Sequence, residues 1–312
     1  MSHTKNRTEV IEPLQLGNVN ELNAAIYADE LIQVSNRFSI NAGLRLDFFR
    51  NQYENLLAAP VSTKQASAAI VSPKLNLYYT FNPHLQVYLN TGKSFHSNDT
   101  RVVVAQGGRQ ILPPAYGSDL GVIFKPFPKL LINAAAWYLW LQQEFVYVGD
   151  AGVVEPSGKT RRQGLDLSVR YQISRHLYAD VDLNTVKPRA ISELEGQNYL
   201  PLAPTFTTMG GLSLQTANGF SGSLRYRYIG DRPANEDNSI VAKGYFVTDM
   251  QVNYAKKAYN VGLSVQNVFN TRWKETQFAT KSRLQGEAVP IEEIHFTPGT
   301  PFFARLSLTF FF

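Results

Sequence analysis

Apolar and polar residues alternate one by one over long stretches of this chain. Phe38, Ile40, Ala42, Leu44, Leu46 and Phe48 interleave with Ser39, Asn41, Gly43, Arg45 and Asp47. Leu165, Leu167, Val169 and Tyr171 interleave with Asp166, Ser168, Arg170 and Gln172. Leu177, Ala179, Val181 and Leu183 do so with Tyr178, Asp180, Asp182 and Asn184, and Phe246, Met250, Val252 and Tyr254 with Asp249, Gln251 and Asn253. The chain closes the same way: Ala304, Leu306, Leu308, Phe310 and the terminal Phe312 alternate with Arg305, Ser307 and Thr309. A period of two makes one face of a β-strand apolar and the other wet. The pattern predicts an all-β chain. It leaves open which face meets water, because a soluble sandwich turns its apolar side inward and a membrane barrel turns it outward.

The connections separate the two. Short ones at Ser35-Asn36, Asn82-Pro83, Pro126-Phe127-Pro128, Ser174-Arg175, Ala217-Asn218-Gly219 and Lys256-Lys257 alternate with long ones. The long ones cover Asn51–Ala69, His96–Tyr116, Gly149–Lys159, Pro188–Ala203, Asp231–Lys243 and Asn270–Pro301. An antiparallel transmembrane β-barrel has short turns at its periplasmic end and long loops outside, whereas a sandwich has no reason to sort them. About thirteen strands of about ten residues are expected. Aromatic residues such as Tyr78, Tyr79, Tyr88, Trp137, Tyr226 and Tyr228 suit an interfacial girdle. With 16 Tyr and 19 Phe the aromatic load is heavy. A mean hydropathy of −0.20 is too polar for a helical membrane protein but fits strands that are apolar on one face only. The most apolar run, Leu130–Leu141, is too short to span as a helix.

Met1–Arg7 lacks the apolar core of a secretory signal, although an outer-membrane barrel has to be exported. Counting back from Phe312, the first strand, near Leu22–Val34, descends from a long-loop end. Residues 1–21 are therefore expected to be the remnant of an extracellular loop, and 22–312 the C-terminal part of a barrel. An odd strand number points the same way, since bacterial single-chain barrels have even numbers.

Several segments carry a family resemblance. Ser72-Pro73-Lys74-Leu75-Asn76-Leu77 with Asn82-Pro83, then Gly92-Lys93-Ser94-Phe95-His96-Ser97-Asn98-Asp99-Thr100-Arg101, are similar to the strand-turn-strand and mid-barrel motif of TonB-dependent outer-membrane receptors. Tyr116-Gly117-Ser118-Asp119-Leu120-Gly121 stands where that family usually has a Glu-containing segment. Gln266-Asn267-Val268-Phe269-Asn270 resembles its penultimate-strand signature. Pro298-Gly299-Thr300-Pro301 precedes a last strand that ends in Phe, although Phe302 follows where the family often has Arg. The five pieces stand in the family's order and cover the chain from about Tyr27 to its end.

The resemblance implies a 22-stranded barrel with a plugged lumen, of which about thirteen C-terminal strands lie here, with the signal, the plug and about nine strands outside the chain. It implies active uptake of a scarce ligand, a ferric siderophore or other metal complex. Partners would be the receptor's own plug domain, the TonB energy-transducing complex, the barrel-assembly machinery and outer-membrane lipid. Leu306, Leu308, Phe310 and Phe312 would form the membrane-assembly signal. Candidate ligand contacts in the outer loops are the bases Arg101, Arg109, Arg161 and Arg162, which would steer an anionic complex, and Tyr116, Tyr147 and Tyr199, which could stack on it. Arg45, Asp47, Asp166, Arg170, Asp180, Asp182, Arg225, Arg227 and Asp249 would face the lumen.

Other chemistries find little support. The five His are scattered without ligand spacing and there is no Cys, so neither a cofactor nor a protein-only metal site is expected. The net charge of +5 comes without a basic stripe, which argues against nucleic acid. His96, Ser97 and Asp99 are the residue types of a hydrolytic triad, but neighbours on a strand end point in opposite directions. No enzyme activity is expected. A passive porin-like channel is the alternative function.

Overall fold

The computed structural model describes residues 16–97, 100, 104, 111–143, 145–148, 153–156 and 158–312. They fall into two compact units, one of Met1–Leu77, Asn90–Ser118 and Leu139–Thr160, the other of Tyr78–Leu89, Asp119–Tyr138 and Arg161–Phe312. The first unit holds β1 (Gly17–Gln33), β2 (Phe38–Asn55), β7 (Phe145–Val148) and β8 (Val153–Pro156). Strands β3 (Ser62–Asn82), β4 (Leu85–Phe95), β5 (Pro114–Phe127) and β6 (Leu130–Leu141) contribute to both. The second holds β9 (Thr160–Gln172) from Arg161 onward, β10 (Leu177–Ala190), β11 (Phe206–Gln215), β12 (Phe220–Ile229), β13 (Arg232–Pro233) and β14 (Val241–Ala242). It continues with β15 (Tyr245–Ala255), β16 (Tyr259–Gln266), β17 (Lys274–Ser282), β18 (Ile291–Pro298) and β19 (Phe303–Phe310).

Thirteen strands form an antiparallel sheet in the order β1-β2-β3-β4-β5-β6-β9-β10-β11-β12-β15-β16-β19. The pairs β7-β8, β13-β14 and β17-β18 are two-stranded ribbons within the long connections. Sequence neighbours are sheet neighbours throughout, as in an up-and-down meander. The short turns are closed by their own side chains. Ser35 Oγ accepts from the Phe38 N–H at 3.1 Å, Asn82 Oδ1 from His84 N–H at 2.8 Å, and Ser174 Oγ from Leu177 N–H at 3.1 Å. Two of these turns also carry a histidine that clamps the next strand. His84 bonds Lys125 O through Nδ1 at 2.8 Å while Lys125 N–H donates to His84 O, and His176 holds Gln215 in the same two-point way.

Three expectations need correction. The segment 51–69 is mostly strand, because β2 and β3 continue to Asn55 and from Ser62; pairing extends to Gly17↔Asn55, so the backbone stays hydrogen-bonded well past the alternating stretch. For the same reason β1 starts at Gly17, ahead of the predicted boundary at residue 22. Tyr88 and Trp137, read as girdle residues, instead lie on the polar face: the Tyr88 hydroxyl donates to Asn133 Oδ1 at 3.1 Å, and the Trp137 ring lies over Gly164 in a hollow shared with Asp119, Asp166 and Asp182.

Exposure follows the alternation and inverts the pattern of a water-soluble fold. Ile26, Ile32, Leu44, Leu120, Leu165 and Leu212 are exposed on one face, whereas Asp47, Asn51 and Thr160 are buried on the other. Leaving such side chains in water forgoes about 1.5–3 kcal/mol each. Over a whole sheet face that is untenable in water and appropriate in lipid.

Candidate functional site

The polar face is knitted by side chains that reach across strand-centre glycines. In the first unit, Asp29 pairs in register with Gly43, and Lys74 of β3 passes over that glycine to meet Asp29. Asn41 donates to Asp29 at 2.9 Å and accepts from Asn76 at 2.9 Å. Beside them Arg45 grips the buried Asp47 through Nε and Nη2, at 2.8–3.0 Å. A hollow of ≈ 570 Å³ lies here, lined by Tyr27, Asp29, Arg45, Lys74 and Lys93 among others. At the long-loop end of this unit the polar face is covered: Ile111 and Leu112 pack on Phe49, Ala66, Ala68, Ile70 and Phe95.

The second unit repeats the device. Asp180, Gly211, Arg225 and Asp249 lie in one cross-strand row. Arg225 reaches over Gly211 to make a two-pronged ion pair with Asp180. Arg170 forks onto Asp182 at 2.8 Å, Arg227 meets Asp249 at 3.6 Å, and Asn184 donates to Asp166. Tyr88 reaches Asn133 over Gly121. The charges expected to face the lumen therefore satisfy one another, and a hollow of ≈ 550 Å³ remains beside Tyr88, Asp119, Asp166 and Asp182. Among the described residues no group of three His, Cys, Asp or Glu side chains converges to hold a metal.

At the long-loop end of this unit, three side chains anchor the loops. Asn267, 1% exposed and at φ 49°, donates Nδ2 to Thr271 O at 2.9 Å and to Thr300 O at 3.0 Å, and accepts from Thr271 N–H at 2.8 Å. Gln277 makes a two-way amide clamp on the Lys243 backbone. Trp273 lies against Tyr245 at 4.7 Å and donates to Thr300 O, with Gly299 so close beneath its ring that a Cβ would sit 2.1 Å away. Arg232 is buried with Nη1 unpartnered, and burial lowers its pKa.

Asp231 accepts from Gly244 N–H at 2.7 Å and pairs with Lys243 at 2.9 Å; these donors, the backbone one foremost, hold its carboxyl below the ordinary carboxylate range. A depressed folded pKa stabilises fully above the unfolded value, and that contribution is lost as pH falls through the folded one. Protection of the Gly244 amide, its exchange compared with an unprotected amide at the same pH, is expected to fall below about pH 4, and Asp231→Asn should remove that step.

The sequence profile of the family described as TonB dependent receptor-like, beta-barrel matches residues 5–268. The chain belongs to the TonB-dependent receptors. It is 24% identical over 285 residues to the catecholate siderophore receptor Fiu of Escherichia coli K12, covering 79% of this chain and 38% of that protein. It is 23% identical over 269 residues to the ferrioxamine receptor of Yersinia enterocolitica, covering 82% of this chain and 37% of that receptor. Among solved structures, the unliganded ferric citrate transporter FecA superposes with a TM-score of 0.75 at 17% identity, over 97% of this chain and 46% of that one. Fiu in its closed form gives 0.71 at 20%, over 94% and 45%. The chain thus spans less than half the length of these relatives. TonB-dependent receptor barrels reside in the outer membrane, so the exposed apolar face of this receptor segment meets lipid. The family is one of receptors and transporters, and a passive porin is not favoured.

Two of the family-like segments meet in space. Asn267 and Trp273 both bond Thr300, and Asn270 Oδ1 accepts from Phe302 N–H at 3.0 Å, so the penultimate-strand signature holds the Pro298–Pro301 segment in place. The sequence placed both motifs but not this contact. Of the candidate ligand residues, Arg101 and Arg109 lie outside the described residues, as does Asp99 of the triad types, and only the backbone of Tyr147 is described, in β7. Tyr116 is exposed beside Trp140, 5.6 Å between rings. Arg161 and Arg162 open β9 side by side, so alternation turns them to opposite faces, Arg161 to that of the exposed Leu165. Tyr199 lies under the Arg189 guanidinium at 4.1 Å. Leu306, Leu308 and Phe310 stand exposed on β19, paired with Leu263, Val261 and Tyr259. Asn267, Trp273 and Gln277 anchor the loops and the bridging glycines admit the polar cross-links, and alternation could not single any of them out. Glycine centred in an alternating strand (Gly43, Gly211) was the available signal.

Proposed function

We propose that this chain supplies barrel wall and outer loops to a receptor that takes up a ferric siderophore by TonB-dependent active transport. The observation carrying the proposal is the family match combined with an elaborated long-loop end, where Asn267, Trp273 and Gln277 hold the loops in fixed positions. Relatives named for catecholate siderophore and ferrioxamine support an iron-complex ligand. The ligand is received by loop bases and aromatics: Arg101, Arg109, Arg162, Tyr147 and Tyr199, with Arg161 and Tyr116 at the margin of the apolar face. The plug domain and the TonB complex act from outside this chain. The test is growth of iron-starved cells, lacking other iron receptors and carrying the complete receptor, on a panel of ferric catecholates, hydroxamates and citrate. Rescue by one class identifies the ligand; rescue by none would sink the siderophore reading.

We also propose that Leu306, Leu308, Phe310 and Phe312 address the chain to the barrel-assembly machinery. Deleting Phe312 is expected to lower the folded, heat-modifiable receptor in outer membranes about tenfold, since one lost anchoring contact of ~1.4 kcal/mol is worth that factor. An unchanged amount would refute the assignment.

A further inference from the structure

The lipid-facing side of the second unit is not uniformly ridged. Ala134 and Ala136 of β6 form the floor of an apolar trough of ≈ 540 Å³ walled by Leu120, Leu165, Leu167 and Leu183. A second hollow of ≈ 380 Å³ shares Ala136, Leu165 and Thr185 with it and continues to Gln163 and Lys187. The trough therefore rises along β9 and β10 from leucines to a polar rim near the long-loop end. That rim is basic. By alternation Arg161 follows Leu165 and Gln163, and Lys187 and Arg189 follow Leu183 and Thr185, on the same face. Arg161 and Lys187 are exposed and have no hydrogen-bond or ion-pair partner among the described residues. Arg189 bonds only its neighbour's carbonyl, Pro188 O, and stacks on Tyr199.

Exposed cations at the upper edge of a face that meets acyl chains below are placed to pair with an anionic headgroup, because charge-assisted hydrogen bonds to phosphate are among the strong ones. The distance suits an amphiphile: Leu183 to Lys187 spans about 13 Å at ~3.3 Å per residue, so a chain in the trough brings its headgroup to the bases. We infer that this trough and its Arg161–Lys187–Arg189 rim bind a phosphorylated outer-leaflet lipid of the lipid A type, one acyl chain lying over Ala134 and Ala136 and a phosphate on the bases. The inference is independent of which ligand the receptor transports.

The test uses the complete receptor, purified in mild detergent, delipidated and offered nanodiscs of phosphatidylcholine containing lipid A, dephosphorylated lipid A, lipid A with added inorganic phosphate, or inorganic phosphate without lipid A. Retained lipid is counted by native mass spectrometry. Lipid A should be retained and the dephosphorylated form should not, and free phosphate should neither bind nor compete. Arg161→Gln with Lys187→Gln should lower retention about tenfold, Lys187→Arg should preserve it, and Ala136→Trp, which fills the trough but keeps the charges, should lower it as far. Equal retention of the dephosphorylated lipid, or retention unchanged in both the double-Gln and the Trp variants, would overturn the site. Free phosphate displacing lipid A would show a headgroup site without a trough and would overturn it equally.

Discussion

Replacing Asn267 by Ala is expected to cost about 3 kcal/mol and to loosen the β17–β18 ribbon. The side chain is 1% exposed and makes three hydrogen bonds to the main chain, at Thr271 twice and Thr300 once. Removing it strands one buried N–H and two carbonyls, each worth about 1 kcal/mol or more when left unpaired. The backbone adds to this, because φ is 49° and Ala is penalised there where Asn is tolerated. Asn267→Gly separates the two terms: it relieves the backbone while losing the same bonds, so it should recover only about 1 kcal/mol. Amide exchange in Lys274–Ser282 and Ile291–Pro298 is the readout, since those strands hang from this clamp and from Trp273 and Gln277. Protection unchanged in both variants would mean that the ribbon is held by something else.

Gly211→Val is expected to abolish accumulation of folded receptor, an effect of at least about 3 kcal/mol. A Cβ at Gly211 would stand 2.0 Å from the Leu224 carbonyl oxygen, which is backbone and can yield only if β11 and β12 separate. The same Cβ would intrude where Arg225 crosses to Asp180. Arg225→Met tests the second effect alone. Its pair is partly exposed, and screening holds such pairs to about 1 kcal/mol or less, so that variant should assemble almost normally. Equal damage from both would make the ion pair, rather than the close approach, the feature that matters.

These two positions show what the sequence disclosed and what it withheld. Strand alternation and sorted loop lengths made the antiparallel barrel legible, because lipid on one side and water on the other impose a period of two at every strand. Polar pairing was half legible. Arg170, Asp182, Arg225 and Asp180 could be assigned to one face by parity, but the partner each selects depends on register and on a glycine in the intervening strand. Strand length was misjudged at β2 and β3, where pairing persists through polar residues that carry no alternation. Ile111 and Leu112 folding onto Phe49 and Phe95 lay beyond any periodic signal, since irregular segments pack by tertiary contact alone. The loop candidates stand apart from the rest. Residue type nominated Arg161 and Tyr116, yet strand parity turns Arg161 toward the apolar face and the fold sets Tyr116 beside Trp140.

The account turns on energised transport, and the direct measurement is uptake of radiolabelled iron on the siderophore that supports growth, in cells with and without TonB. Saturable uptake that vanishes without TonB, and on collapse of the proton gradient, is predicted. Uptake that rises linearly with concentration and persists without TonB would contradict the account and make the protein a passive pore.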